Sequence, residues 1–177
     1  MPTIERDTSL LLLVDFQARL MPAIEDADAV LRNARRLLDA AQLLRVPILL
    51  TEQNAPGLGA TVPELRPEGV GIAHKMTFDA CCAPGFLDRV PTGRALIVGG
   101  CETHVCVLQS VLGLLSCGRQ VFLVRDAVGS RRAESKETAI ARMAGNGAEI
   151  VTTEMVLFEW LGTAEDARLH DLLALIK

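Results

Sequence analysis

Cys106 follows Gly99-Gly100-Cys101-Glu102-Thr103-His104-Val105, where an apolar run over 95–98 breaks at two glycines and a helical period begins. A thiol in the first turn of a helix sits near unpaired backbone N–H groups and the positive end of the helix dipole, and both favour its thiolate. The spacing therefore predicts a nucleophile. The competing reading is a small core thiol, the usual fate of free cysteine. Position favours catalysis at Cys106, whereas Cys81, Cys82 and Cys101 have no such case and Cys117, on the apolar far end of the same helix, reads as core. Two further groups have complementary chemistry. Asp15 closes a run of five apolar residues, and a carboxylate there is either a paired structural group or a poised base, the second being favoured because perturbed carboxylates cluster at sites. Lys75 alone would be ordinary solvated surface. Its weight comes from the other two.

For these three to meet, the chain must bring several strand ends together. Short apolar runs over 10–14, 48–51, 70–74, 95–98, 121–124 and 149–151 alternate with segments of helical period. That alternation predicts an α/β fold, a three-layer α-β-α sandwich around a mostly parallel six-stranded sheet of Rossmann-like type, in one domain over 1–177. Asp26 is the expected cap of the first helix, with Val30, Ala34, Leu37, Ala41 and Leu44 on its buried face. Gly118 closes the Cys106 helix, Asn146-Gly147 closes one over 134–144, and helices over 154–161 and 164–176 finish the chain, the last after a Thr163-x-x-Asp166 capping signal. In open parallel sheets the ligand crevice lies beyond the C-terminal strand ends. The residues just after each run are therefore the informative ones. Phe16 and Phe78 are expected to wall a pocket, with Gln17, Glu52 and Gln53 as substrate contacts. Asp126 is expected to be structural, capping a turn or pairing with Arg131 or Arg132. The stretch 52–67, with prolines at 56, 63 and 67, reads as a long irregular loop of the kind that carries function or an interface.

Composition narrows the partners. A net charge of -4, with five Phe, one Trp and no Tyr, argues against a nucleic-acid surface, which needs basic residues interleaved with stacking aromatics. No apolar run approaches the about 18 residues that span a bilayer, so no membrane partner is expected. The glycine-rich phosphate motifs are absent and the three histidines lack ligand spacing, so no cofactor and no metal are expected. Five cysteines without a Cys-x-x-Cys pair, after a start that is not apolar, predict reduced thiols and a cytoplasmic location. The apolar half of the composition, with exposed candidates at 55–58 and 155–160, predicts a homo-oligomer, dimer or larger.

Val14-Asp15-Phe16-Gln17, Lys75-Met76-Thr77-Phe78-Asp79-Ala80, the Gly99 to Val107 stretch and Asp126-Ala127-Val128-Gly129-Ser130-Arg131 resemble, in order, the motifs of the isochorismatase-like cysteine hydrolase superfamily. The resemblance runs from about residue 10 to 157. It implies a catalytic triad of Asp15, Lys75 and Cys106. It also implies a non-proline cis peptide at Cys101-Glu102, with the backbone N–H groups of Glu102 and Cys106 as oxyanion donors. Nicotinamidases of the superfamily carry a histidine metal motif after the second strand, where this chain has Thr51-Glu52-Gln53-Asn54-Ala55-Pro56-Gly57-Leu58-Gly59. True isochorismatases lack the cysteine. The expectation is thus a cysteine hydrolase cleaving a C–N bond of a small amide-like substrate through a thioester, in the branch of isochorismatase-domain hydrolases. The alternative is a non-catalytic or redox-responsive small-molecule-binding protein that uses Cys106 as an oxidisable thiol, and the other enzyme alternative is a nicotinamidase or an isochorismatase proper.

Overall fold

The computed structural model describes residues 3–177; Met1 and Pro2, at the start of the domain expected over 1–177, lie outside them. The apolar runs form six strands, β1 Ser9–Val14, β2 Ile48–Gln53, β3 Gly71–Lys75, β4 Ala95–Cys101, β5 Val121–Gly129 and β6 Glu149–Val151. They lie in the order β3-β2-β1-β4-β5-β6, and every neighbouring pair is parallel. The helices are α1 Ala27–Leu44, the short α2 Ala55–Leu58, α3 Leu108–Ser116, α4 Ala133–Gly145, α5 Thr153–Leu161 and α6 Leu169–Ile176. The α/β class and three-layer arrangement are those expected. None of the helices among the described residues is long and apolar enough to cross a membrane.

The central strand shows why the layers form. All six residues of β1 are buried, so its side chains feed two cores at once. Leu11 and Leu13 enter the core beneath α1, α5 and α6, with Leu37 and Trp160. Leu10, Leu12 and Val14 enter the core beneath α3 and α4, with Val111, Leu114 and Ile140. Each such leucine contributes about 2 kcal/mol of apolar burial, and a strand buried on both faces suits the centre of a parallel sheet covered on both sides. From β1 the chain steps outward to β3, then returns to place β4 against the other side of β1 and steps outward again. The reversal leaves a crevice between the C-terminal ends of β1 and β4.

Several local expectations are corrected. Asp26 precedes α1 but has left-handed backbone and makes no side-chain capping bond. The stretch 52–67 is largely ordered: β2 runs to Gln53, α2 follows, Gln17 and Thr61 form an antiparallel bridge, and Pro63–Leu65 is a 3-10 turn. The fifth strand does not end at Val124. It bulges between the pairs Val98–Leu123 and Gly100–Val128 and continues to Gly129. Asp126 is structural, as expected, but pairs with neither Arg131 nor Arg132; its carboxylate accepts from the backbone N–H and hydroxyl of Thr153, each at 2.9 Å, and so holds the start of α5. The last helix begins at Leu169, because Arg168 and Arg6 both grip the Asp166 carboxylate and hold 163–168 in turns. Cys117 is exposed at the end of α3.

One backbone position is indispensable to the crevice. Gly100 has φ of 153°, and a Cβ there would lie 2.5 Å from the Val14 carbonyl oxygen and 2.6 Å from its Cβ. Only glycine lets β4 pass this close to the end of β1. Gly100→Ala is expected to destabilise the fold by about 3 kcal/mol through overpacking, read as a lower urea midpoint. A midpoint equal to wild type would show that β4 can shift without cost.

Candidate active site

Asp15 leaves β1 with φ of 54°, its N–H still donating to the Thr51 carbonyl at 3.2 Å. The turn places the carboxylate, wholly buried, between two donors. Thr51 Oγ1 donates to Oδ1 at 2.6 Å and Lys75 Nζ donates to Oδ2 at 2.7 Å. Parallel register makes this meeting possible, since Val14 pairs with Thr51 on β2 and Gln53 of β2 pairs with Lys75 on β3. Lys75 Nζ also faces the carbonyls of Thr77 at 3.3 Å and Phe78 at 3.5 Å. An ammonium with three protons thus has three acceptors. The Phe78 carbonyl is held in turn by α3. Ser110 Oγ accepts from the Ala80 N–H at 2.9 Å and donates to the Phe78 carbonyl at 3.3 Å. Next to it Gly113 leaves room for Asp79, whose carboxylate oxygens would be 2.6 Å from any Cβ there.

The cysteine arrives from the other side of the switch point. β4 ends in a cis peptide bond at Cys101-Glu102, as the resemblance implied, and Thr103–Val107 forms one π-helical turn that runs into α3. Glu102 is nearly buried, and one of its carboxylate oxygens accepts from both the backbone N–H and Nε of Arg131 at 3.0 Å. Cys106 is 5% exposed and lies against Asp15 and Lys75. Burial pushes its thiol up to about 12, the Asp15 charge adds to the rise, and Lys75 opposes it. Desolvation and the Asp15 charge thus act against the lowering expected from the helix start. Both favour the protonated thiol over the thiolate.

The other candidates separate. Phe16 is packed into the core beneath α1 at 1% exposure instead of walling a pocket. Gln17 has its amide committed to backbone, donating to the Gln53 and Gly59 carbonyls and accepting from the Gln53 N–H at 2.8 Å. Glu52 Oε1 accepts from the N–H and hydroxyl of Thr61, while Oε2 lies 3.4 Å from His74 Nδ1. Gln53 Nε2 donates to the Met76 carbonyl at 3.3 Å. Phe78 is half exposed. A cavity of about 440 Å3 beside this edge is lined by Glu52, Pro56, His74, Lys75, Met76 and Thr77. Among the described residues no group of three or more His, Cys, Asp and Glu is placed to hold a metal ion.

Thr51, Ser110 and the Glu102–Arg131 pair were not anticipated. Thr51 had a signal, a hydroxyl closing an apolar strand beside the strand that ends in Asp15. The other two depend on contacts about thirty residues apart in sequence, 32 for Ser110–Phe78 and 29 for Glu102–Arg131.

Fold and site together define a parallel α/β protein with a buried carboxylate–ammonium pair and a thiol at its switch point. The isochorismatase domain model matches residues 9–155, and the chain belongs to that family. It is 37% identical over 171 residues to the human isochorismatase domain-containing protein 2, covering 96% of this chain and 83% of that one. A Caenorhabditis elegans structure described as MAR1 ribonuclease superposes with a TM-score of 0.93 at 33% identity, over 99% of this chain and 92% of that one. The ycaC product of Escherichia coli, described as an octameric hydrolase of unknown specificity, superposes with a TM-score of 0.92 at 29% identity, over 99% and 91% of the two chains.

The electrostatics of Cys106 can be tested directly. Cys82 and Cys117 are exposed, so limiting iodoacetamide at neutral pH is expected to label them ahead of Cys106. Labelling of Cys106 should rise about tenfold per pH unit with no plateau below about pH 11, because the thiolate fraction grows at that rate below the thiol pKa. Asp15→Asn removes a charge that raises that pKa and should speed labelling at fixed pH. Lys75→Met removes the one that lowers it and should slow labelling. Mass spectrometry showing Cys106 modified first, with a plateau near neutrality, would reverse this assignment.

Proposed function

We propose that the protein is a cysteine hydrolase that cleaves the C–N bond of a small amide-like substrate. The observation that carries the reading is the 2.7 Å pair of Lys75 Nζ and Asp15 Oδ2, buried at 1% and 0% side-chain exposure, with the Cys106 thiol against both. The family supports a hydrolase; the assignment to amides rests on this chemistry.

Asp15 takes the Sγ proton as the sulfur attacks the carbonyl carbon, and Lys75 stabilises the developing thiolate. The carbonyl oxygen becomes an oxyanion facing the backbone N–H groups of Glu102 and Cys106, each such donor contributing about 3 to 4 kcal/mol in other hydrolases. As the tetrahedral adduct collapses, Asp15 returns the proton to the leaving nitrogen and a thioester remains. Asp15 then takes a proton from water, which attacks the thioester, and the proton returns to sulfur as the acid leaves. No cofactor enters the cycle. The redox-responsive reading needs only an oxidisable thiol, and it gives no role to the buried Lys75–Asp15 pair set against Cys106. The Caenorhabditis elegans neighbour is described as a ribonuclease, but a net charge of -4 gives this chain no excess of cations for a polyanion.

The test is a panel of small amides. Cys106→Ala is expected to abolish turnover while leaving the fold intact, and Asp15→Asn to reduce kcat by roughly 10² or more, even though its thiol becomes more acidic. Turnover that survives in purified Cys106→Ala would sink the proposal.

Self-association belongs to the same reading. Met76, Phe78, Met155 and Phe158 are exposed, more apolar surface than a monomer usually leaves open, and a neighbour of the same fold is described as octameric. Light scattering at micromolar concentration is expected to return a multiple of 19.1 kDa. A monomer mass would refute it.

A further inference from the structure

A second cavity lies on the opposite flank of the nucleophile turn from the Asp15–Lys75 pair. It has a volume of about 290 Å3 and is lined by His104, Arg131, Arg132 and Ser135. His104 belongs to the π-helical turn that carries Cys106. Arg131 follows β5, and Arg132 and Ser135 open α4.

The donors of this cavity are largely uncommitted. Arg131 uses its backbone N–H and Nε on Glu102, which leaves both terminal nitrogens, and its side chain is 62% exposed. Arg132 stands at the N-cap of α4, makes no side-chain capping bond, and donates to no protein acceptor among the described residues. His104 engages Ser130 Oγ through Nδ1 at 3.0 Å, leaving Nε2. The Lys136 N–H makes the first bond of α4, to the Arg132 carbonyl; the N–H groups of Ala133, Glu134 and Ser135 precede it and belong to the open end of a 13-residue helix. Glu102 offsets one of the two arginine charges. Glu134 in the first turn of α4 adds a second carboxylate nearby, but it does not line the space; facing the concavity are the free ends of two guanidiniums, a helix N-terminus and the hydroxyl of Ser135, groups that favour oxyanions.

We infer that this cavity is a binding site for an anionic group, a phosphate or carboxylate, held by Arg131, Arg132, His104 and the first turn of α4. Its occupant would touch the turn from which Glu102 and Cys106 offer their N–H groups. A substrate amide bearing an acidic substituent and a separate anionic effector both have this chemistry. The first source rests on the hydrolase reading above; the site itself does not.

The test titrates inorganic phosphate into the labelled protein at low ionic strength, following backbone amide shifts by NMR. Saturable shifts at His104 and Ser135 are expected, with affinity about tenfold weaker in Arg132→Gln, the loss of one charge-assisted hydrogen bond. Cys106→Ala should bind phosphate as wild type does, so failure of the hydrolase reading leaves this result standing. No shift at those amides, or equal affinity in Arg132→Gln, overturns the site. The source is then read from alkylation of Cys106. Phosphate that slows labelling by iodoacetate but not by iodoacetamide assigns the anion to the substrate. Phosphate that binds yet slows neither assigns it to a separate effector.

Discussion

The Asp15–Lys75 pair is the constraint to which the surrounding structure answers. Two opposite charges fully removed from water cost several kcal/mol each in lost hydration, and their attraction repays this only if the remaining lone pairs and protons are also met. Here they are met by parts of the chain distant in sequence. Thr51 Oγ1 serves the other carboxylate oxygen, and the carbonyls of Thr77 and Phe78 serve the ammonium. Each partner needs a particular register. Thr51 must lie beside the end of β1, Lys75 must lie one strand further out, and the segment after Lys75 must be pinned by Ser110 on a helix from the other half of the sheet. Shifting β2 by one residue would turn Thr51 to the opposite face and leave a buried carboxylate short of a donor.

The same logic explains the close-packed glycines. Bringing a thiol from β4 against a carboxylate from β1 requires neighbouring backbones to approach beyond what side chains permit, and Gly100 sits where a Cβ would strike Val14. Gly113 does the corresponding work for Asp79, whose position fixes the loop that supplies carbonyls to Lys75. On the far flank, the Glu102–Arg131 bond ties the nucleophile turn to the end of β5. The site is therefore braced from both halves of the sheet, with the topological switch between β1 and β4 as its floor.

How much of this was legible in the sequence depended on the range of the interaction. The strands were readable because a run such as Leu10 to Val14 can be buried only in a sheet covered on both sides, whatever its partners. Asp15, Lys75 and Cys106 stood out as polar groups at the ends of such runs, and strand-end topology brings them to one edge. Side-chain commitments were not readable. Asp126 read as a structural group that caps a turn or pairs with a nearby arginine, and its partner is Thr153, 27 residues on. Phe16 and Gln17 follow the same strand end as Asp15, yet one fills the core beneath α1 and the other straps β2 to a loop. Cys117 looked apolar in context, but Gly118, with φ of 71°, ends α3 and leaves the thiol at the surface. Local pattern gives the face of an element; it does not give the partner of a hydrogen bond thirty residues away.

The thiol pKa is the largest departure, and it bears on how a three-residue site can run two proton transfers. A cysteine already ionised beside an ionised aspartate would hold no proton for the leaving nitrogen, and one would have to enter from water. Burial and the Asp15 charge instead favour the protonated form of Cys106. On the proposed reaction that single proton serves the whole first half of the cycle: it passes from sulfur to Asp15 as the carbon–sulfur bond forms, and from Asp15 to nitrogen as the carbon–nitrogen bond breaks. Lys75 keeps this economical. Its charge stabilises a thiolate and a carboxylate alike, so moving the proton between sulfur and oxygen leaves one negative charge facing the same ammonium throughout. A helix end acting alone would have favoured only the sulfur. A buried ammonium shared between both sites favours the transfer itself, which is why the lysine belongs on a strand end within reach of both groups and not on the cysteine's own helix.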